Sequence, residues 1–323
     1  MRAYIVSQIN EKPKLIEMDV PQPTEHQVLI NIKASAFNHR DIWITKGLYP
    51  GIRLGAVMGA DGVGIDGEGR KVVINPGLDW GNNQNCQSRQ FRVLGVPDDG
   101  TFADYIMIDK KYVYPLPDHL DFVHGAAIPL AGVTAFRALV KKANVQSGDK
   151  VLISGIGGGV AMMAMQFALA MQCEVFVTSG SEEKIENAIR LGAKAGYNYK
   201  DDSWAKQFQS EHGGVDVIID SACGTGFHHF VNIANPGGRI AFYGGTHGEI
   251  SGLNPQKVFW KQLSIMGSTM GSDQDFRDML AFVEQYKVQP IVSRIVDFDH
   301  FMDGFDFLAQ GQQMGKVVMQ HTL

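Results

Sequence analysis

The stretch Lys150–Ala161, KVLISGIGGGVA, constrains the fold more than any other part of the chain. An apolar run from Val151 to Ile153 meets a turn holding Gly155, Gly157, Gly158 and Gly159. Helix formers with a single charge follow over Met162 to Glu174. A turn almost free of side chains lets backbone N–H groups approach a bulky anion closely. The helix after it points its positive end at the same place. A second apolar run, Glu174–Thr178, completes a strand–turn–helix–strand unit, the layout of a dinucleotide site. The glycines read in two ways, as Gly155-x-Gly157-x-x-Val160 or as Gly155-x-x-Gly158-x-x-Ala161.

The alternation continues on both sides of this unit. Strands are expected at Val151–Ser154, Glu174–Thr178, Ala195–Asn198, Val215–Asp220, Arg239–Tyr243 and Ser264–Met266. Six such strands with helices between them predict an α/β fold with a doubly wound parallel six-stranded Rossmann sheet. A helix over Ala126–Asn144 leads in through Ser147-Gly148-Asp149. Earlier residues carry short β-patterned runs (Val28–Ile32, Lys71–Ile74, Tyr105–Ile108) punctuated by Pro50-Gly51 and Pro76-Gly77. That texture predicts a mostly antiparallel, barrel-like domain. The tail returns to short strands at Ile291–Asp297 and Lys316–Met319. The expected organisation is therefore a β-rich domain over 1–124, a nucleotide domain over 125–270, and a segment 271–323 completing the first.

With 323 residues, 45% of them hydrophobic, two cores are within reach. A net charge of -5 without a basic run argues against nucleic acid or an anionic membrane as partner. No stretch is long and apolar enough to span a bilayer, and MRAYIVSQIN lacks the apolar core of a secretory signal. Cys86, Cys173 and Cys223 are far apart and odd in number, which suits a reducing cytoplasm rather than a disulfide framework.

An NAD site places Asp or Glu at the end of the second strand, about twenty residues past the glycines. Here that strand ends Thr178-Ser179-Gly180-Ser181, with Lys184 close behind. Small hydroxyl residues and a lysine suit the 2′-phosphate of NADPH. Ser181 is also placed to cap the helix starting at Glu182, and Tyr199 to stack beside the adenine. Catalytic zinc needs three protein ligands. The candidates His26, His39, Cys86, His119 and His124 show no paired ligand spacing, so no metal is expected.

Several motifs, in this order and spacing, resemble the medium-chain dehydrogenase/reductase superfamily in its zinc-less quinone oxidoreductase branch. They are Phe37-Asn38-His39-Arg40-Asp41, Gly47-Leu48-Tyr49-Pro50, Met58-Gly59-Ala60-Asp61-Gly62-Val63-Gly64, Ala131-Gly132-Val133-Thr134-Ala135 and Gly237-Gly238-Arg239. The resemblance covers essentially the whole chain and implies a GroES-like first domain, a substrate cleft between domains, and a homodimer. In zinc-dependent relatives the Asn38 position holds a cysteine ligand and Ala60-Asp61 aligns with a His-Glu pair, so both positions are changed here. Trp80–Leu94 stands where those relatives carry a structural zinc lobe, with Cys86 alone in it.

The resemblance implies hydride transfer from NADPH to a quinone or an α,β-unsaturated carbonyl, with Asn38, Tyr49 and Asp61 lining the substrate site. Asn38 and Tyr49 are the candidate hydrogen-bond donors. Asn38 alternatively holds a turn, Tyr49 covers apolar surface, and Asp61 pairs with Arg40 or another base. Gly157, Gly158, Gly159 and Val160 would hold the pyrophosphate, and Ser179, Lys184 and Tyr199 the 2′-phosphate. Thr134, Ser268 and Thr269 would bracket the nicotinamide, with Tyr243, Gly244 and Gly245 on the same edge. Lys316 matches a basic family position at the cofactor, or is a solvated strand-end lysine. The competing expectations are a zinc enzyme using Asp61 and His39, and an NADPH-binding protein without turnover.

Overall fold

The computed structural model describes residues 1–321. The chain forms two compact units, Met1–Val133 with Gly271–Leu323, and Thr134–Met270.

The second unit is built on one six-stranded sheet. Its order is Ala195–Asn198, Glu174–Ser179, Lys150–Ile153, Val215–Asp220, Ala234–Phe242, Ser264–Gly267. Every neighbouring pair is parallel. The chain enters at Lys150–Ile153, winds outward to Ala195–Asn198, then crosses back to Val215–Asp220. The winding therefore reverses between the two central strands, where such sheets bind ligands. Val151, Leu152, Ile153, Val217, Ile218 and Ile219 are all fully buried, which is why these strands read as unbroken apolar runs. The Gly159–Ala170 helix is apolar on nearly every side because Met162, Met163, Met165 and Phe167 are buried. By contrast, Glu182–Arg190 is amphipathic: Ser181 Oγ accepts the Lys184 N–H at 3.4 Å, and Ile185 and Ala188 face inward.

One expected element is different. The helix expected over Ala126–Asn144 runs unbroken only from Pro129, as Pro129–Phe136 continuing into a π-helical Arg137–Lys142, and a separate short helix, Phe122–Ala126, precedes it. Asp121 caps the short helix by accepting the His124 N–H at 2.8 Å. Pro129 lacks an N–H and fits only the first turn of a helix, so a new helix starts there. From Arg137 the ladder widens, and the Ala143 N–H reaches the Ala138 carbonyl at 2.9 Å.

The first unit carries a seven-stranded sheet around the long strand Gln27–Ala36. Asp61–Asp66 and Tyr105–Asp109 pair with it antiparallel. Lys71–Ile74 and Val113–Pro115 extend the sheet beyond Asp61–Asp66. From the far end of the chain, Lys316–Gln320 joins Gln27–Ala36 antiparallel, and Val292–Asp297 adds to it in parallel. Beneath lies an aromatic core of Tyr4, Phe37, Phe102, Phe298 and Phe301. Phe37 stands 5.0 Å from Phe102 and 4.9 Å from Phe301 between ring centroids. This packing anchors the residue just before Asn38.

Candidate active site

In the first unit, three segments distant in sequence meet at the end of Gln27–Ala36. Ala36 is opposite Asp61 on one side and Val318 on the other. Asn38 therefore lies between the start of the Asp61 strand and the start of the Lys316 strand. Gly59 makes the approach to Asp61 possible. Its φ is +93°, and a Cβ there would stand 2.6 Å from the Phe102 ring.

The resulting polar cluster is almost fully buried. Lys316 Nζ donates to Asn38 Oδ1 at 2.6 Å, Asp61 Oδ2 at 2.8 Å and the Phe37 carbonyl at 2.8 Å. Asn38 Nδ2 donates to the same Asp61 Oδ2 at 2.9 Å and to the Ala36 carbonyl at 3.4 Å. The other carboxylate oxygen, Asp61 Oδ1, accepts the Leu130 N–H at 2.7 Å. Asp61 thus pairs with a base, and that base is Lys316 rather than Arg40. Arg40 instead donates to the carbonyls of Leu94 and Val96 and lies over the Tyr49 ring, 4.6 Å from its centroid.

Asn38 starts the His39–Thr45 helix, and its backbone N–H donates to Asp41 Oδ2 at 2.8 Å. The Asp41 carboxyl is fully buried, and among the described residues its Oδ1 has no hydrogen-bond partner. Burial pushes its pKa up to about 6, against the opposing pull of Arg40, the Asn38 N–H and Lys316, while Asp61 adds to the rise. Tyr49 is half-buried against the aromatic core, and among the described residues its hydroxyl has no hydrogen-bond partner.

Zinc sites are made of cysteine, histidine and carboxylate ligands around an open position. The donors here are one carboxylate, one carboxamide and a backbone carbonyl, and an ammonium group already sits among them. These residues do not fit zinc. His39 is exposed, whereas Asp61 is fully buried with its carboxylate engaged by Lys316, Asn38 and the Leu130 N–H.

In the second unit, the expected cofactor residues gather at the carboxyl edge of the sheet. Gly155 and Gly157 adopt φ of +63° and +115°, and Gly158 is the N-cap of Gly159–Ala170. A glycine cap supplies no side-chain acceptor, so the first helical N–H groups remain open to an anion. Lys184 lies across the turn: a Cβ on Gly157 would stand 2.7 Å from Lys184 Cδ and 3.2 Å from Nζ. Burial lowers the pKa of that ammonium. A Cβ on Gly180 would meet Tyr199 Oη at 2.8 Å and Lys200 Cε at 2.9 Å. Ser179 is buried, and its hydroxyl donates to the Ile156 carbonyl and accepts the Ser181 N–H. Glu182, at the start of the following helix, accepts from Asn198 Nδ2 at 2.6 Å.

Further along the edge, Tyr243, Gly244, Gly245, Ser268 and Cys223 line a groove of about 400 Å³. Ser268 Oγ is buried with no hydrogen-bond partner among the described residues. Thr134 Oγ1 lies 3.7 Å from Met270 Sδ, and Thr269 is exposed. These features fit a dinucleotide: a bare turn, an open helix end, two lysines and an orphaned hydroxyl. Lys200 and Asp41 escaped the sequence reading. Lys200 had a signal, since it directly follows Tyr199; Asp41 had the Asn-x-x-Asp spacing of a helix start.

A glycine turn at the reversal point of a doubly wound sheet, with a GroES-like unit carrying a buried polar cluster, defines a dehydrogenase or reductase dependent on a nicotinamide dinucleotide. Residues 24–118 match the alcohol dehydrogenase GroES-like domain, and residues 159–285 the zinc-binding dehydrogenase family. The chain is 35% identical to the zinc-type alcohol dehydrogenase-like protein YogA of Leptosphaeria maculans, across 93% of this chain and 92% of that protein. It is 32% identical to a quinone oxidoreductase of Lama guanicoe, across 88% and 85%. A solved structure of an NAD-dependent alcohol dehydrogenase superposes with a TM-score of 0.92 at 34% identity, covering 99% of both chains. The chain belongs to the medium-chain dehydrogenase/reductase superfamily and is an oxidoreductase.

Proposed function

We propose that this chain is a zinc-independent, NADPH-dependent reductase of quinones or α,β-unsaturated carbonyls. The observation that carries the reading is the donor set around Asn38 and Asp61, where a lysine ammonium stands and no cysteine or histidine does. Nothing in that set polarises a plain ketone as a Lewis acid does. Quinones and enones suit such a site, because the hydride they accept leaves a delocalised hydroquinone anion or enolate. The nicotinamide, when bound, supplies the hydride. Tyr49 then donates its unpartnered hydroxyl to the developing oxyanion, and solvent delivers the proton. Asn38 is the weaker donor candidate, since its two amide hydrogens are directed at Asp61 and the Ala36 carbonyl. NADPH is favoured over NADH because Lys184, Lys200 and Tyr199 surround Gly180 and Gly157 while Glu182 is engaged by Asn198.

A second copy of this chain is the expected partner. Ser264–Gly267 ends the sheet, and Phe259 and Trp260 just before it are 63% and 83% exposed. Three free thiols, Cys86, Cys173 and Cys223, suit a reducing cytoplasm. No helix among the described residues is long and apolar enough to cross a membrane. The test is NADPH oxidation in EDTA against quinones, enones and simple aldehydes, with NADH alongside. Turnover of quinones or enones with NADPH is expected. Activity confined to alcohols or aldehydes and abolished by EDTA would overturn the reading.

A further inference from the structure

We propose that the Lys316 ammonium is a tethered cation that positions Asn38 and Asp61, in a pocket that a small free ammonium ion can enter once the lysine side chain is cut back. An ammonium has three N–H groups, and Lys316 spends all three on Phe37, Asn38 and Asp61. At 4% exposure it has none left for a phosphate or a substrate. Its acceptors sit on two separate segments, and Asp61 passes the link to a third through the Leu130 N–H. The cation also fixes which way the Asn38 amide faces. Oδ1 turns to the ammonium and Nδ2 to the carboxylate. Removing the ammonium leaves Asn38 Oδ1 buried without its donor and the Asp61 carboxylate without its counter-charge, so the Nδ2 bond to Asp61 alone holds the amide in place. Asn38 begins the helix that leads to Tyr49, and the Leu48 N–H closes on the Trp43 carbonyl at 2.9 Å just before it. A change in how the Asn38 side chain is held is thereby placed one short helix away from Tyr49, the oxyanion donor.

The test has a thermal arm and a kinetic arm, using the full chain; only the kinetic arm rests on the reductase reading. K316A opens the pocket, whereas K316M keeps the volume and removes the charge. Propylammonium is expected to raise the melting temperature of K316A saturably, by roughly 2 °C or more, while tetramethylammonium, which has no N–H, does not. Neither amine should move K316M or the wild type. In the kinetic arm, K316M is expected to lose roughly tenfold in kcat with the KM for NADPH within about twofold of wild type. K316R should recover part of the loss. Where K316A does not fold, K316M and K316R decide alone. An unchanged kcat in K316M would overturn the proposal. So would a tenfold rise in the KM for NADPH at constant kcat, which would place the ammonium on the cofactor, or a propylammonium effect no larger on K316A than on K316M. If the wild type turns over no quinone or enone, the reductase reading fails while the thermal arm still decides the pocket.

Discussion

Lys316 Nζ lies 2.8 Å from Asp61 Oδ2, with side chains 4% and 0% exposed, although 255 positions separate them in sequence. Burying two charges is costly, and their attraction offsets it only when the remaining hydrogen-bonding groups are satisfied. Both conditions hold here. The ammonium has two further acceptors, and the carboxylate has two further donors.

Breaking that pair from one side leaves an uncompensated charge. D61A is expected to destabilise the protein by about 3–5 kcal/mol. The double variant D61A/K316M should lose less than the two single losses added together. Urea denaturation of the four proteins measures the difference, and strict additivity would contradict the pairing.

Asp41 makes stability depend on pH in the opposite sense to an ordinary ion-paired carboxylate. Its pKa is raised to about 6 from the model-peptide value of 3.8. Between those values the native state still holds the proton that the unfolded chain has released. Stability from this group is therefore greatest below about pH 4, falls as pH rises to about 6, and is level above that. D41N removes the ionisation, so its stability relative to wild type should rise across the same window. Melting curves from pH 4 to 8 report the slope, and parallel profiles for the two proteins would refute the assignment.

Tyr49 offers a hydroxyl that has no hydrogen-bond partner among the described residues, on a ring held beneath Arg40. Y49F keeps the ring and its packing, so folding should be unaffected. Loss of one oxyanion donor should lower kcat by roughly tenfold to hundredfold, with the KM for NADPH unchanged. Steady-state kinetics with a quinone check this.

Lys184 and Lys200 are expected to distinguish the two nicotinamide cofactors. Replacing either with alanine should raise the KM for NADPH by roughly tenfold and leave that for NADH within about twofold, as expected for loss of a charge-assisted bond to phosphate. Equal effects on both cofactors would show that the lysines support the turn rather than the 2′-phosphate.

Much of the second unit was legible because its signals are local. The strand, glycine turn and helix of 150–170 lie within about two dozen consecutive residues, and the apolar runs mark buried parallel strands directly. The expected helix over 126–144 is present from Pro129 to Lys142 and differs in local chemistry: Pro129 sets its start, and the widened ladder after Arg137 leaves no mark in the pattern. Ser179 shows another limit. Its place at the end of the second strand was readable, but not that its hydroxyl would turn inward to the Ile156 carbonyl.

Residue type and short-range spacing were enough to read the fold class, the glycine turn between strand and helix, and the absence of cysteine and histidine where Asn38 and Ala60-Asp61 stand. The pairing of Asp61 with Lys316 is visible only in three dimensions. Their contact exists because the strands that carry them flank the same end of Gln27–Ala36. Strand pairing between segments so far apart is set by burial of the whole sheet and its aromatic core, and no local pattern encodes it. Lys316, open in the sequence to a solvated or a cofactor-bound reading, is a buried cation hydrogen-bonded to the amide and carboxylate at that strand end.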